Sequence, residues 1–237
     1  MWQGKLRLFL GRSCHAGLNI SCITIYQNKM FEAICSDLET IIQICGEPLE
    51  GNCVYYHNTL TRFEQLKNKQ TNLKTVAMYN NRQGSKICEI GFNAGHSAAL
   101  FMIHAQQAEF TFFDLGEHKY TKPCYEYLRQ KFPETQSKMI VGDSRLSLPL
   151  WMQSCREQLG TFDVVHVDGG HSESCAVSDL AAAIMLVRKG GIVILDDTND
   201  PMIRTCFERW ERAGVLERMP QLETPDTTYA HIISRRV

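Results

Sequence analysis

The sequence has almost no net charge: 25 Lys and Arg stand against 26 Asp and Glu, a formal −1 at pH 7 over 237 residues. A nucleic-acid surface or an anionic membrane surface needs a basic excess, so partners of neither kind are expected. Long hydrophobic runs are missing too. No stretch approaches the roughly 20 apolar residues of a spanning helix. The opening "MWQGKLRLFLGRSC" is interrupted by Arg7 and is too weak for a secretory signal. There is no internal repeat and no low-complexity segment. The ten cysteines form no C-x-x-C pair and no tight cluster, and several lie inside apolar runs, as Cys88 does in "KICEIGF". A free thiol there behaves as a small hydrophobe. This usage points to a reducing, cytoplasmic compartment; a disulfide set among the cysteines before residue 54 is the other reading. "NIS" at Asn19 fits a glycosylation acceptor, a motif short enough to recur by chance.

What is present is ordinary in bulk, at 44% hydrophobic and 22% charged residues, and the length suits one large domain better than two. "NISCITIY" has strand character. "NKMFEAICSDLETIIQI" spaces Phe31, Ile34, Leu38, Ile41 and Ile42 as a helix does. Two further helical stretches are expected near 58–69 and 71–80, closed by "NNRQGS". From Lys86 the pattern becomes regular. The strands "KICEIGF", "EFTFFDL", "SKMIVGD", "FDVVHVD" and "GIVILDD" alternate with helices, the fourth of which reaches through "LVRKG". The tail "TTYAHIISRRV" reads as a last strand, paired near "VLERMPQ". Five βα units with two closing strands predict an α/β fold. The expected form is a doubly wound, mostly parallel seven-stranded sheet with helices on both faces and an N-terminal helical extension. Residues 1–83 form that extension, a candidate surface for substrate and for homodimer contacts, and residues 84–237 form the sheet domain. Tyr55, Tyr56 and His57 in "GNCVYYHN" offer an aromatic and polar lining for a substrate.

In such sheets ligands bind past the carboxyl ends of the strands, so chemistry should fall just after each one. The first strand ends in "EIGFNAGHS", with Glu89, Gly91, Phe92, Asn93, Gly95 and Ser97. Glycines at this turn let backbone approach a ligand, and the next helix start presents free N–H donors. The G-x-G-x-x-G fingerprint of nicotinamide enzymes is absent, because position 93 is Asn. Asp114 closes the second strand, where a carboxylate can grip a ribose diol. Asp143 and Ser144 follow the third; either the acid meets a purine amine or it caps the next helix.

Taken together, these strand ends resemble those of class I S-adenosylmethionine (SAM)-dependent methyltransferases, from about Lys86 to Val237. The resemblance implies that the loop from Glu89 to Gly95 wraps the methionine part of SAM, that Asp114 holds the ribose and that Asp143 meets the adenine. It implies further cofactor contacts from Ser97, Ser144 and Asp168. The fourth strand ends at Asp168 in "VHVDGGH" and the fifth at Asp196 and Asp197 in "ILDDTND". Three converging carboxylates repel unless a cation intervenes, and an oxygen-only set suits Mg²⁺ or another hard divalent ion. This layout is similar to metal-dependent O-methyltransferases of small sugars and catechols, and the Asp-Asp pair is nearer the sugar-modifying members. The metal there orients two substrate oxygens and lowers the pKa of one. His171 stands where catechol-type relatives have a lysine base, and Asp168 competes for the base role. His96 is expected at the cofactor pocket and His166 in the sheet core. Gly169 and Gly170 are read as slim residues that let substrate near the ion. A metal-independent enzyme and a non-catalytic relative are the alternatives. An amine-methylating nucleic-acid enzyme is disfavoured by the absence of an N/D-P-P-Y/F motif.

Overall fold

A computed structural model describes residues 20–56, 59–222 and 230–237. Asn19, His57 and the Thr227–Tyr229 part of the tail lie outside the described residues. Helix α1 spans Ile20–Cys45 and buries Phe31, Ile34, Cys35, Leu38 and Ile42, one stripe at 3.6-residue spacing. Its first turns occupy the segment expected as a strand. Ile23, Ile25 and Tyr26 there are exposed, so no core contact demands an extended chain. Extending an existing helix adds one hydrogen bond per residue fixed, which outweighs the weak β-preference of isoleucine. The two helices expected over 58–80 are also corrected. A short 3₁₀ turn, Glu64–Leu66, leads into one helix, α2, Lys67–Tyr79. Before it the chain is irregular, because side chains take the backbone donors. Asn52 Oδ1 accepts from the N–H of Val54 at 2.7 Å and of Tyr55 at 2.9 Å, and Thr59 Oγ1 from that of Thr61 at 3.1 Å.

The alternating half follows the sequence pattern. The strands are β1 Lys86–Ile90, β2 Glu109–Asp114, β3 Ser137–Val141, β4 Phe162–Val167 and β5 Val187–Leu195. Between and after them come α3 His96–His104, α4 Thr121–Lys131, α5 Ser144–Ser154, α6 Glu173–Leu186 and α7 Pro201–Arg212. Strands β6 Leu216–Arg218 and β7 Ile232–Arg236 complete a seven-stranded sheet in the order β3-β2-β1-β4-β5-β7-β6. The five leading strands are parallel and β7 runs antiparallel to both neighbours, β6 pairing it as expected. Helix α6 stops at Leu186 rather than at Gly190. "VRKGG" joins β5, where a register shift against β4 absorbs the extra residues.

Strand order reverses between β1 and β4, so the crevice at the switch point lies between their carboxyl ends. The period of two divides each strand between two cores. Ile87, Val164, Ile192, Ile194 and Ile233 pack with α1, α2 and α3. Cys88, Val165, Val167, Val193 and Leu195 pack on the other face with α6 and α7. Residues Phe31 to Ala77 therefore share one core with the sheet. No helix of the described residues is long and apolar enough to cross a membrane. The nine described cysteines are all free, as expected.

Candidate active site

The strand ladder continues past the strand ends and fixes the residues that follow. Gly91 N–H donates to Phe113 O at 2.8 Å, Asp168 N–H to Ile90 O at 2.8 Å and Asp196 N–H to Val167 O at 2.9 Å. Gly91 has φ 94°, and a Cβ on it would stand 1.9 Å from the carbonyl oxygen of Asp168. Only glycine lets the β1 loop and the β4 end approach so closely. Asp114 then ties the loop down: Oδ2 accepts from Asn93 N–H at 2.7 Å and Oδ1 from Gly116 N–H at 2.7 Å. Asn93 also donates from Nδ2 to Gly51 O at 2.9 Å and accepts from the Tyr120 hydroxyl at 2.8 Å. Phe92, expected at the cofactor, instead sends its ring into the core against Phe112 and Tyr125, and Ser97 is buried.

Parity decides what gathers at the crevice. Glu89, His166, Asp168 and Asp196 alternate in step with Ile87, Val164 and Ile194, so all four belong to the face covered by α1, α2 and α3. Glu89 and His166 are directly paired across β1 and β4, and His166 Nδ1 lies 2.9 Å from Glu89 Oε1. One ligand atom each from His166, Asp168 and Asp196 falls within 4.8 Å of the others. His166, expected in the sheet core, is buried as expected and yet belongs to the site. Asp197 does not join. It has the opposite parity and φ 53°, and its Oδ2 instead meets His171 Nε2 at 2.8 Å.

Lys69 completes the cluster. It is 5% exposed, and its ammonium forms an ion pair with Asp196 Oδ2. The same helix reaches the residue before β7 through Asn72 Nδ2, which is 3.0 Å from His231 Nε2. Burial alone would lower the Lys69 pKa, but Asp196, followed by Asp168 and Asp197, more than offsets it and holds the ammonium charged. Burial works against an ionised Asp196, yet Lys69 and then His166 keep its pKa low. Asp168 goes the other way: burial, then the charge on Asp196, raises it well above the carboxylate range. Burial disfavours a charged His166, and the Glu89 carboxylate prevails and raises it.

These residues do not fit a divalent ion as arranged. An ammonium stands on one of the two carboxylates, and the third acid has turned to His171. Mg²⁺ asks for six oxygen ligands in near-ideal octahedral geometry, and a neighbouring cation repels it.

The remaining expectations divide. Asp143 caps α5, accepting from Arg145 N–H at 3.0 Å, and its carboxylate also holds Arg145 Nε at 2.9 Å. Ser144 begins that helix. Asp200 caps α7 through Met202 N–H at 2.7 Å, so "TNDP" is a helix start. His171 is exposed, and its hydrogen bond to Asp197 raises its pKa to about 9. His96 is corrected: it is buried edge-on against Tyr55 at 5.3 Å, and burial lowers its pKa to about 3. Tyr55 is corrected too. Its ring is core and its hydroxyl bonds Glu39, while Tyr56 is exposed. Gly169 and Gly170 make room for protein rather than substrate. A Cβ would stand 2.7 Å from Asp179 Oδ2 at the first and 3.1 Å from Cys175 Sγ at the second.

Lys69 was missed by the sequence reading, although a signal existed. It shares a helical stripe with Leu73, Val76 and Ala77, the apolar face of α2. A lysine on such a stripe needs a buried partner.

Residues 88–198, from β1 to the loop after β5, match the family model of a methyltransferase domain. That stretch is similar to a methyltransferase domain. Solved structures share the fold over most of the chain. A Corynebacterium glutamicum protein is similar at TM-score 0.58 and 15% identity, over 100% of this chain and 98% of that one. The O-methyltransferase from Bacillus cereus in complex with SAH is similar at TM-score 0.59 and 15% identity, over 85% and 91%. The O-methyltransferase TomG from Streptomyces achromogenes, involved in tomaymycin synthesis and in complex with SAM, is similar at TM-score 0.59 and 16% identity, over 86% and 89%. No curated protein sequence matches the chain.

Proposed function

We propose that the methyltransferase uses S-adenosylmethionine to methylate a hydroxyl group of a small molecule, a sugar, polyketide or catechol-like compound. The observation that carries this reading is the crevice at the switch point. The Gly91 loop, anchored on Asp114, faces the ends of β4 and β5, where Asp168 and the buried Asp196 converge. Two of the similar structures are O-methyltransferases, one in complex with SAH and one with SAM, which supports both the cofactor and the oxygen acceptor. When bound, SAM supplies an electrophilic methyl on a sulfonium, and the step then needs in-line positioning and a place for the hydroxyl proton.

Asp114 anchors the loop and keeps lone pairs for the ribose. Asp168 in its ionised form takes the hydroxyl proton, since it borders the crevice and its carboxyl is neither ion-paired to Lys69 nor spent on a cap; burial and Asp196 raise its pKa, so this form gains population toward alkaline pH. His171 is a poorer acceptor by its place: it is exposed, and its Nε2 is engaged with Asp197 Oδ2 at 2.8 Å. The divalent ion expected from the strand-end acids is left out of this reading, because Lys69 stands among them.

Calorimetric titration with SAM tests the cofactor. The wild type binds it; a flat titration removes the reading. Release of S-adenosylhomocysteine against a panel of hydroxylated small molecules then finds the acceptor. With an acceptor in hand, Asp168→Asn should lose on the order of 100-fold or more in rate, within the span of general-base catalysis. His171→Gln should keep its rate, and the reverse pattern would move the base role to His171.

A further inference from the structure

The site was expected to hold a divalent ion, yet a lysine from outside the sheet enters it. We propose that the Lys69 ammonium is the resident cation of this site, standing where a divalent ion would otherwise compensate Asp168 and Asp196. The site therefore works without metal. The inference deepens the methyl-transfer reading and rests on it only for what the site is used for.

The argument is geometric. Two carboxylates whose oxygens lie within 4.8 Å of one another and of an imidazole need a positive charge between them. Lys69 supplies it from α2, directly onto Asp196 Oδ2. Its stem is held by the stripe below it, where Leu73, Val76 and Ala77 are buried in the core that α2 shares with the sheet. The Asn72 contact to His231 fixes the same turn against the residue before β7. The ammonium is thus placed by packing, as a metal is placed by its ligands.

The donor set has been dismantled to match. Asp197, the third acid, points to His171 instead. An incoming ion would find two carboxylate groups and one imidazole nitrogen, with an ammonium beside them. Lys69 touches neither reacting atom in this account and is a positioning residue: it fixes the orientation of Asp196 and the charge felt by Asp168.

Manganese binding, followed by the electron paramagnetic resonance signal of free Mn²⁺, tests the proposal without any substrate. Wild type and Lys69→Arg should show no saturable Mn²⁺ site. Lys69→Met removes the charge at similar length and should gain one site per chain, lost again in Lys69→Met combined with Asp196→Asn. A purely structural lysine would not create a metal site on removal. Stoichiometric Mn²⁺ binding by the wild type, abolished by Asp196→Asn, overturns the proposal, and this holds even if Lys69→Met does not fold. A folded Lys69→Met that binds no Mn²⁺ overturns it as well. SAM titration of the wild type reports separately on the methyltransferase reading, so failure of one is not failure of the other.

Discussion

Asp179 sits on α6, fully buried, 2.7 Å from the place a Cβ on Gly169 would take. Burial raises its pKa to about 6, with Ser144 and the Arg145 charge working against it. The sign of the pH effect follows. Between its ordinary 3.8 and about 6 the folded state binds the proton that the unfolded state has released. Stability must then fall as pH rises through that window and level off above it. Asp179→Asn removes the titration. Relative to wild type it should gain on the order of 2 kcal/mol between pH 4 and pH 7, since each pKa unit is worth about 1.4 kcal/mol. Urea unfolding of both proteins at the two pH values measures this, and a difference that does not change with pH removes the effect. The same scale explains why the acids were only partly legible. Their positions after strands could be read from the sequence. Which of them would face the same way depended on parity and on one left-handed residue, Asp197. Asp168 and Asp196 share a face with His166, and Asp197 does not.

At the scale of elements, the five βα units were readable because β-branched and aromatic runs of five or six residues end in Gly or Asp and give way to helical spacing. The N-terminal third was not. Its isoleucines suggested a strand in a segment that only continues a helix already anchored by Phe31 and Ile34. Helix α2 is polar at most positions, and its function lies in a single stripe of Lys69, Leu73, Val76 and Ala77. The helix therefore has two tasks, packing and presenting a charge, and they can be separated. Leu73 is completely buried, so Leu73→Ala leaves a cavity beneath the helix. The expected cost is roughly 2–5 kcal/mol, as for other buried leucines. Lys69→Arg keeps the charge and should cost much less. Denaturant titration of the two variants checks the order; equal losses would mean that the fit of the lysine itself matters to α2 as much as the packing of Leu73.

For the whole molecule, the question is whether the helices before residue 84 behave as a unit of their own. The core says otherwise: Phe31, Leu38 and Leu73 lie in one cluster with Ile87, Val164 and Ile233, so α1 and α2 share their core with the sheet. Lys69 adds a second link, because that segment delivers the charge paired with Asp196 at the strand ends. One cooperative thermal transition should therefore be seen, and SAM should move all of it. At a ligand concentration of 100 times Kd the gain is about 2.7 kcal/mol. For a chain of this size that is a rise of about 5–10 °C, at 2–4 °C for each kcal/mol. The rise should be the same in excess EDTA and in added Mg²⁺, since the cation of the site is covalently part of the chain. Scanning calorimetry in the two buffers gives both answers. Two transitions of which only the upper one responds to SAM would divide the molecule near residue 83. A rise that collapses in EDTA would return the acids to a metal.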